Sequence, residues 1–147
     1  MKNVPAALLT ALLVQVLCQV FKVVLYSVRE ARFAPEYFVS AGGFPSAHSA
    51  FVTALSAAVG LRGGFGSDLF AVSFVFSVIV IYDAYRLRGA VEKHAKLLNR
   101  LAADLRPGEY PRLSGMVGHT LPEIAAGVAA GGILGVVVTG LLAASGL

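Results

Sequence analysis

With 147 residues, 57% hydrophobic and 14% charged, the chain has the length of one domain and the composition of a membrane protein. A small aqueous core cannot hide so much apolar side chain, and a mean hydropathy of +0.78 excludes an intrinsically disordered chain. The net charge of +4 is modest; the expectation is a single membrane-embedded unit over residues 1–147, with the membrane and not nucleic acid as its partner.

The first apolar run, about Val4–Val28, is interrupted only by Gln15, Gln19 and Lys22. About 20 residues cross a ~30 Å hydrocarbon core, so it can span with some tilt. It is too long for a signal-peptide core and lacks a good small-residue cleavage site, so it reads as a mature helix. Cys18, the lone cysteine, lies within it and excludes an intrachain disulfide. A polar connection, Arg29–Phe44, leads to a second apolar run from Pro45 to Leu61, at the short end of the spanning range. A glycine-rich turn around Gly63–Gly66 precedes the third run, Leu69–Tyr82. That run is β-branched and aromatic enough to suggest a strand, but a lone strand in a bilayer cannot satisfy its backbone, so helix is expected.

After Asp83 comes the one charge-rich stretch. Leu87, Val91, His94 or Ala95, Leu98, Leu101, Ala102 and Leu105 fall at helical spacing, with Lys93, Lys96 and Arg100 on other faces. This describes an amphipathic helix, stopped by Arg106-Pro107-Gly108, that lies on the membrane surface or docks across the bundle. The last run, about Thr120–Leu142, is rich in Gly and Ala, which permit close helix packing. The expected architecture is all-α: about four transmembrane helices plus one amphipathic helix. A homo-oligomer is left open.

Ionisable residues within or at the rims of membrane helices are costly and usually serve a purpose. Alternating helix directions bring four helix ends to one side of the membrane. Those ends carry Lys22 and Arg29; Ser46 and His48; Asp83, Arg86 and Arg88; and His119 and Glu123. Lys22 and Arg29 are seven residues apart, about 10 Å along one helix face. Two cations so placed suit a phosphate, or simply snorkel to the interface. Ser46 and His48 sit at a helix N-terminus, where backbone N–H groups attract anions; Ser46 could equally be only an N-cap. His119 and Glu123 are helix neighbours, and a carboxylate beside an imidazole either orients it for reaction or makes a structural pair. His94 lies in the basic amphipathic stretch and receives no role. A metal site is the weaker option, because no ligand spacing such as H-E-x-x-H occurs.

Lys22-x6-Arg29, Pro45-Ser46-Ala47-His48 and Gly118-His119-x3-Glu123 together resemble the three signature motifs of the type-2 phosphatidic acid phosphatase family. Those motifs read K-x6-R-P, P-S-G-H and S-R-x5-H-x3-D, and the family shares its helical core with vanadium-dependent haloperoxidases and bacterial acid phosphatases. With Tyr82-Asp83-Ala84, Arg88 and Leu97-Leu98-Asn99 between them, the motifs are similar to a short divergent branch of that family over nearly the whole chain. Glu30, Ala47 and Glu123 depart from the proline, glycine and aspartate of the pattern. The S-R pair is missing: Leu113 stands where its arginine would fall, beside Arg112.

The resemblance implies hydrolysis of a lipid or polyprenyl phosphomonoester through a phosphohistidine, without a metal or other cofactor. His119 would be the nucleophile, Glu123 its orienting carboxylate and His48 the general acid. Lys22, Arg29, Ser46 and Asp83, with Arg88 or Arg112 for the missing arginine, would form the substrate site. The alternative is a catalytically weak or inactive binder of anionic lipid. Setting aside the candidate catalytic cations, the site side carries Arg32, Arg86, Lys93, Lys96, Arg100, Arg106 and Arg112, against Lys2 and Arg62 opposite. The positive-inside rule then places the site on the cytoplasmic face of the plasma (inner) membrane.

Overall fold

The computed structural model describes residues 5–40, 42–105, 108–113 and 117–146. Among these there are five α-helices, α1 (Ala6–Glu30), α2 (Ala47–Gly63), α3 (Asp68–Tyr85), α4 (Leu87–Leu105) and α5 (Leu121–Ala144), a short 3-10 turn at Pro35–Phe38, and no strand. Lys2, Arg106 and Pro107 lie outside the described residues. The fold is the expected all-helical membrane bundle. The valine- and phenylalanine-rich run of α3 is helical, as the bilayer argument requires.

Local chemistry sets the helix starts. Ser46 Oγ accepts the Ser49 N–H at 3.3 Å, and Ser67 Oγ accepts the Phe70 N–H at 3.2 Å, each satisfying one of the orphan donors of a first turn. At α5 the Glu123 carboxylate reaches back to the Thr120 N–H, 2.8 Å away. Between α3 and α4 only Arg86 intervenes, and its backbone stays in the right-handed helical region.

Three helical segments are long and apolar enough to cross a membrane: Ala6–Glu30, Leu121–Ala144, and the stretch Asp68–Leu105 that begins with α3. The fourth apolar helix, α2, has 17 residues, a length of about 25 Å. It compensates by position, because α1, α3 and α5 all pack against it.

The seam between α2 and α5 is made of backbone. A Cβ added at Gly127 would meet Ser46 O at 2.4 Å; at Gly131, Ala50 O at 2.4 Å; and at Gly135, Ala54 Cα at 2.9 Å. Matching steps of four residues mean that the two helices run parallel and in register. The small-residue stripe of α5 is therefore used inside the molecule, bringing the helix axes close. Val14, Cys18, Ala47, Ala50 and Ala54 form the buried core beside this seam, with Leu134 and Val138 packed on it. Small polar side chains complete the contacts: Thr10 and Thr139 share a hydrogen bond of 3.3 Å between α1 and α5, and Ser56 and Ser77 one of 2.8 Å between α2 and α3. The amphipathic α4 is different. Among the helices only α3 is close to it, and Ala95 is its one buried residue.

Candidate active site

Register brings three helix ends together. The Ser46 N–H donates to Glu123 O at 2.9 Å, joining the start of α2 to the first turn of α5. The His119 N–H donates to Ala84 O at 3.3 Å, joining the entry of α5 to the last turn of α3. His48 and His119 then face one another, ring centroids 6.4 Å apart and planes inclined by 62°. The His119 side chain is fully buried, with Nδ1 3.4 Å from Glu123 Oε2. That oxygen also accepts the Thr120 N–H, so the carboxylate is fixed by its own helix start before it meets the imidazole. His48 Nδ1 is buried and has no hydrogen-bond partner among the described residues.

The candidate cations divide into two groups. Lys22 is fully buried, and its ammonium donates to Ser40 O at 3.3 Å and Gly42 O at 3.0 Å. A buried charge must be compensated, and here two loop carbonyls do so, making Lys22 the pin that holds the α1–α2 connection against the bundle. Arg88 Nε donates to Asp83 Oδ2 at 2.9 Å, a half-buried pair. Lys22, Arg88 and Asp83 all lie close enough for their charges to act on His48, and Glu123 close enough to act on Lys22.

Arg29 and Arg112 are exposed. The Arg29 guanidinium lies 5.7 Å above the Tyr26 ring, which stacks at 4.1 Å on Tyr37. The Tyr37 hydroxyl donates to Glu30 Oε1 at 2.6 Å, and that neighbouring carboxylate raises the pKa of the phenol. The Tyr26 hydroxyl works inward instead, accepting the Phe44 N–H at 3.3 Å just before α2. Arg112 is exposed on residues 108–113, where the Asn99 side chain holds both the N–H and the carbonyl of Leu113 at 2.9 Å. Asn99 thus acts like a neighbouring strand, clipping this segment to α4. Ser46 is fully buried and caps α2.

A cavity of about 820 Å³ opens beside His119; His48 does not line it. One wall is the entry to α5 and its first turn, Gly118 to Glu123; the other is Arg86 with Gly89, Ala90, Glu92, Lys93 and Lys96 of α4. Sequence reasoning missed this second wall, having set Lys93 and Lys96 only on faces other than the apolar one. Their spacing contained the signal, since 86, 89, 90, 93 and 96 follow one helical face. Glu92 fastens the two walls together. Its Oε2 accepts the Gly118 N–H at 3.0 Å while its Oε1 pairs with Lys96. Gly118 presses so close that a Cβ there would lie 2.7 Å from Gly89 Cα. No group of three or more His, Cys, Asp or Glu side chains suited to a metal ion occurs among the described residues.

Fold and site together define a helical membrane protein with two facing histidines, one of them beside a carboxylate, at one end of its bundle. The chain belongs to the Divergent PAP2 family, whose model matches residues 3–138. It is also 34% identical over 150 residues to a protein of Bacillus subtilis (strain 168) described as "Uncharacterized membrane protein YuiD", with 92% of each chain covered. No solved structure matches the chain.

Proposed function

We propose that the protein is a metal-independent membrane phosphatase, hydrolysing a lipid or polyprenyl phosphomonoester through a phosphohistidine, with residues 1–147 acting as one unit. The observation that carries this reading is the 6.4 Å separation of the His48 and His119 rings, which lets both imidazoles address one phosphorus centre. Nδ1 of His119 is turned to Glu123, so the opposite nitrogen, Nε2, attacks. As the new N–P bond forms, the P–O bond to the alcohol breaks and His48 donates a proton to the departing alkoxide. Neutral His48 then takes a proton from water, whose oxygen attacks phosphorus, releasing inorganic phosphate and free His119. Glu123 stabilises the positive charge that His119 acquires on phosphorylation. Lys22 and Arg88 provide the positive field in which the phosphoryl oxygens gain charge, with Asp83 positioning Arg88.

Phosphate release from phosphatidate, phosphatidylglycerol-type and polyprenyl phosphates by purified protein tests the proposal. His119→Ala is expected to lower turnover about a thousandfold or more, and His48→Ala about a hundredfold or more. Unchanged turnover in His119→Ala removes the nucleophile and the mechanism with it.

A second reading, a binder of anionic lipid with weak or no turnover, is favoured by one observation. Arg88 is paired with Asp83 and Lys22 with two carbonyls, so both cations are already engaged. Lipid retention without turnover across the same panel would select it.

The excess of cations on the histidine side supports a site at the cytoplasmic face of the plasma membrane. Cys18 is buried, so a cysteine introduced at exposed Arg100 reports on sidedness alone. It is expected to resist an impermeant thiol reagent in intact cells and to react in inverted vesicles.

A further inference from the structure

Lys22 and Arg88 lend the site a positive field, but the cavity itself has no lining cation from the three motifs. The pattern's arginine is replaced by Leu113, Arg112 lies on a segment clipped to α4 at Asn99, and Lys22 and Arg88 are already engaged. None of these four residues lines the cavity beside His119. The cations that do line it are Arg86, at the junction of α3 and α4, and Lys93 and Lys96 of α4. Lys96 is paired with Glu92. Arg86 and Lys93 make no ion pair or side-chain hydrogen bond among the described residues.

Their placement follows from two contacts. The backbone leading into His119 crosses α4 at Gly89, where Gly118 meets it, and is fastened one turn later by Glu92. Arg86 lies three residues before that crossing and Lys93 four residues after it, about 4.5 and 6 Å along the axis. Between the two cations the cavity wall is Gly89 and Ala90, which take up almost no room. Two uncommitted cations thus flank a shallow gap beside the residue proposed as nucleophile. A dianion seated there would be held from two sides, with the guanidinium able to bond two oxygens at once.

From this arrangement we infer that Arg86 and Lys93 form the phosphate clamp of the site, the α3–α4 junction and α4 supplying the charge that the last motif lacks. The ligand class is a tetrahedral phosphate dianion, free or as the head of an amphiphile; the 820 Å³ cavity has space for substituents beyond it. This inference rests on the phosphatase reading for its purpose and not for its test.

The experiment is calorimetric titration of inorganic phosphate into the purified full-length protein, followed by turnover of a lipid phosphate by the same samples. Arg86→Gln and Lys93→Gln are each expected to weaken phosphate binding about tenfold or more, and the pair about a hundredfold. Lys93→Arg should retain most of the affinity. Arg100→Gln removes a cation of the same helix outside the cavity and should leave binding unchanged. Should Arg86→Gln fail to fold, the contrast between Lys93→Gln and Lys93→Arg decides the matter alone. Undiminished affinity in Lys93→Gln, an equal loss in Arg112→Gln, or no phosphate binding by the unsubstituted protein overturns the inference. Binding that follows this pattern without any turnover upholds the clamp and sinks the hydrolase; turnover indifferent to both substitutions does the reverse.

Discussion

Two seams of this molecule bring backbone against backbone through glycine, and they are built on opposite principles. Between α2 and α5, Gly127, Gly131 and Gly135 repeat the close approach at every turn, against Ser46 and Ser49 at the histidine end and an alanine-lined apolar core beyond it. Between α4 and the entry to α5, Gly118 touches Gly89 once, and polar bonds secure the contact: Glu92 to the Gly118 N–H, Asn99 to both backbone groups of Leu113, and Ala84 O to the His119 N–H. A repeated contact is cooperative, since no single turn can open without its neighbours. A contact held by a few bonds at the edge of the fold can open locally, at a small part of the global cost. The first seam therefore carries the stability of the bundle, while the second positions the histidine and one wall of its cavity.

Substitution at Gly131 should break this contrast most visibly if it is wrong. A leucine there must displace Ala50 backbone, which a long helix cannot yield cheaply. A loss of about 3 kcal/mol, near 10 °C in the melting temperature of the detergent-solubilised protein, is expected. Gly132→Ala, one position along and facing open space, should leave the melting temperature unchanged or slightly raised. Similar melting curves for the two variants would mean that α2 and α5 do not share this register.

Glu92 gives the intermediate effect and the complementary signature. Glu92→Ala removes the acceptor of the Gly118 N–H, so the entry to α5 loses its tie to α4 while the α2–α5 seam stays intact. Turnover of a lipid phosphate should fall about tenfold, with the melting temperature moving by only about 2–4 °C. Glu92→Gln keeps a carbonyl oxygen for the same bond and should recover most of the activity, although it loses the charge pair with Lys96. If Glu92→Gln were as impaired as Glu92→Ala, the carboxylate charge would matter more than the bond to Gly118.

How far all this could be read from residues alone depends on the range of the deciding contact. The helices follow from apolar run length, and the meeting of four helix ends follows from counting crossings; both are properties of the chain taken segment by segment. The glycine stripe of α5 announces a close neighbour, but not that the neighbour is α2 of the same chain. Lys22 is harder, because its burial depends on carbonyls of Ser40 and Gly42, supplied by a loop 18 to 20 residues away. The cavity face of α4 is hardest. Lys93 and Lys96 look the same in sequence whether they face water or a cavity, and what turns them into a wall is the crossing at Gly89, set by a partner far along the chain at Gly118. Arg29 illustrates the converse: stacking on Tyr26, three residues earlier, was legible from helical spacing and competes with a place beside the histidines.

The smallest expected effect tests whether the bundle around the stable seam owes anything to polar bonds. Thr10 and Thr139 are both buried and share one hydrogen bond between α1 and α5, at the end of the bundle away from the histidines. Valine at either position keeps the shape and removes the bond. Within a membrane such bonds are worth about 0.6 kcal/mol on average, because the separated helices also find partners for their hydroxyls. Each single valine variant should therefore shift the melting temperature by about 2 °C at most, and the double variant should lie close to either single one, since the second change removes nothing further. A coupling above about 2 kcal/mol in that cycle would transfer weight from backbone packing to interhelical hydrogen bonds, and the contrast between the two seams would narrow to one of degree. Coupling near the average leaves the glycine ladder as the main support of the bundle, and leaves α4, with its few bonds, to position one wall of the cavity beside the histidine.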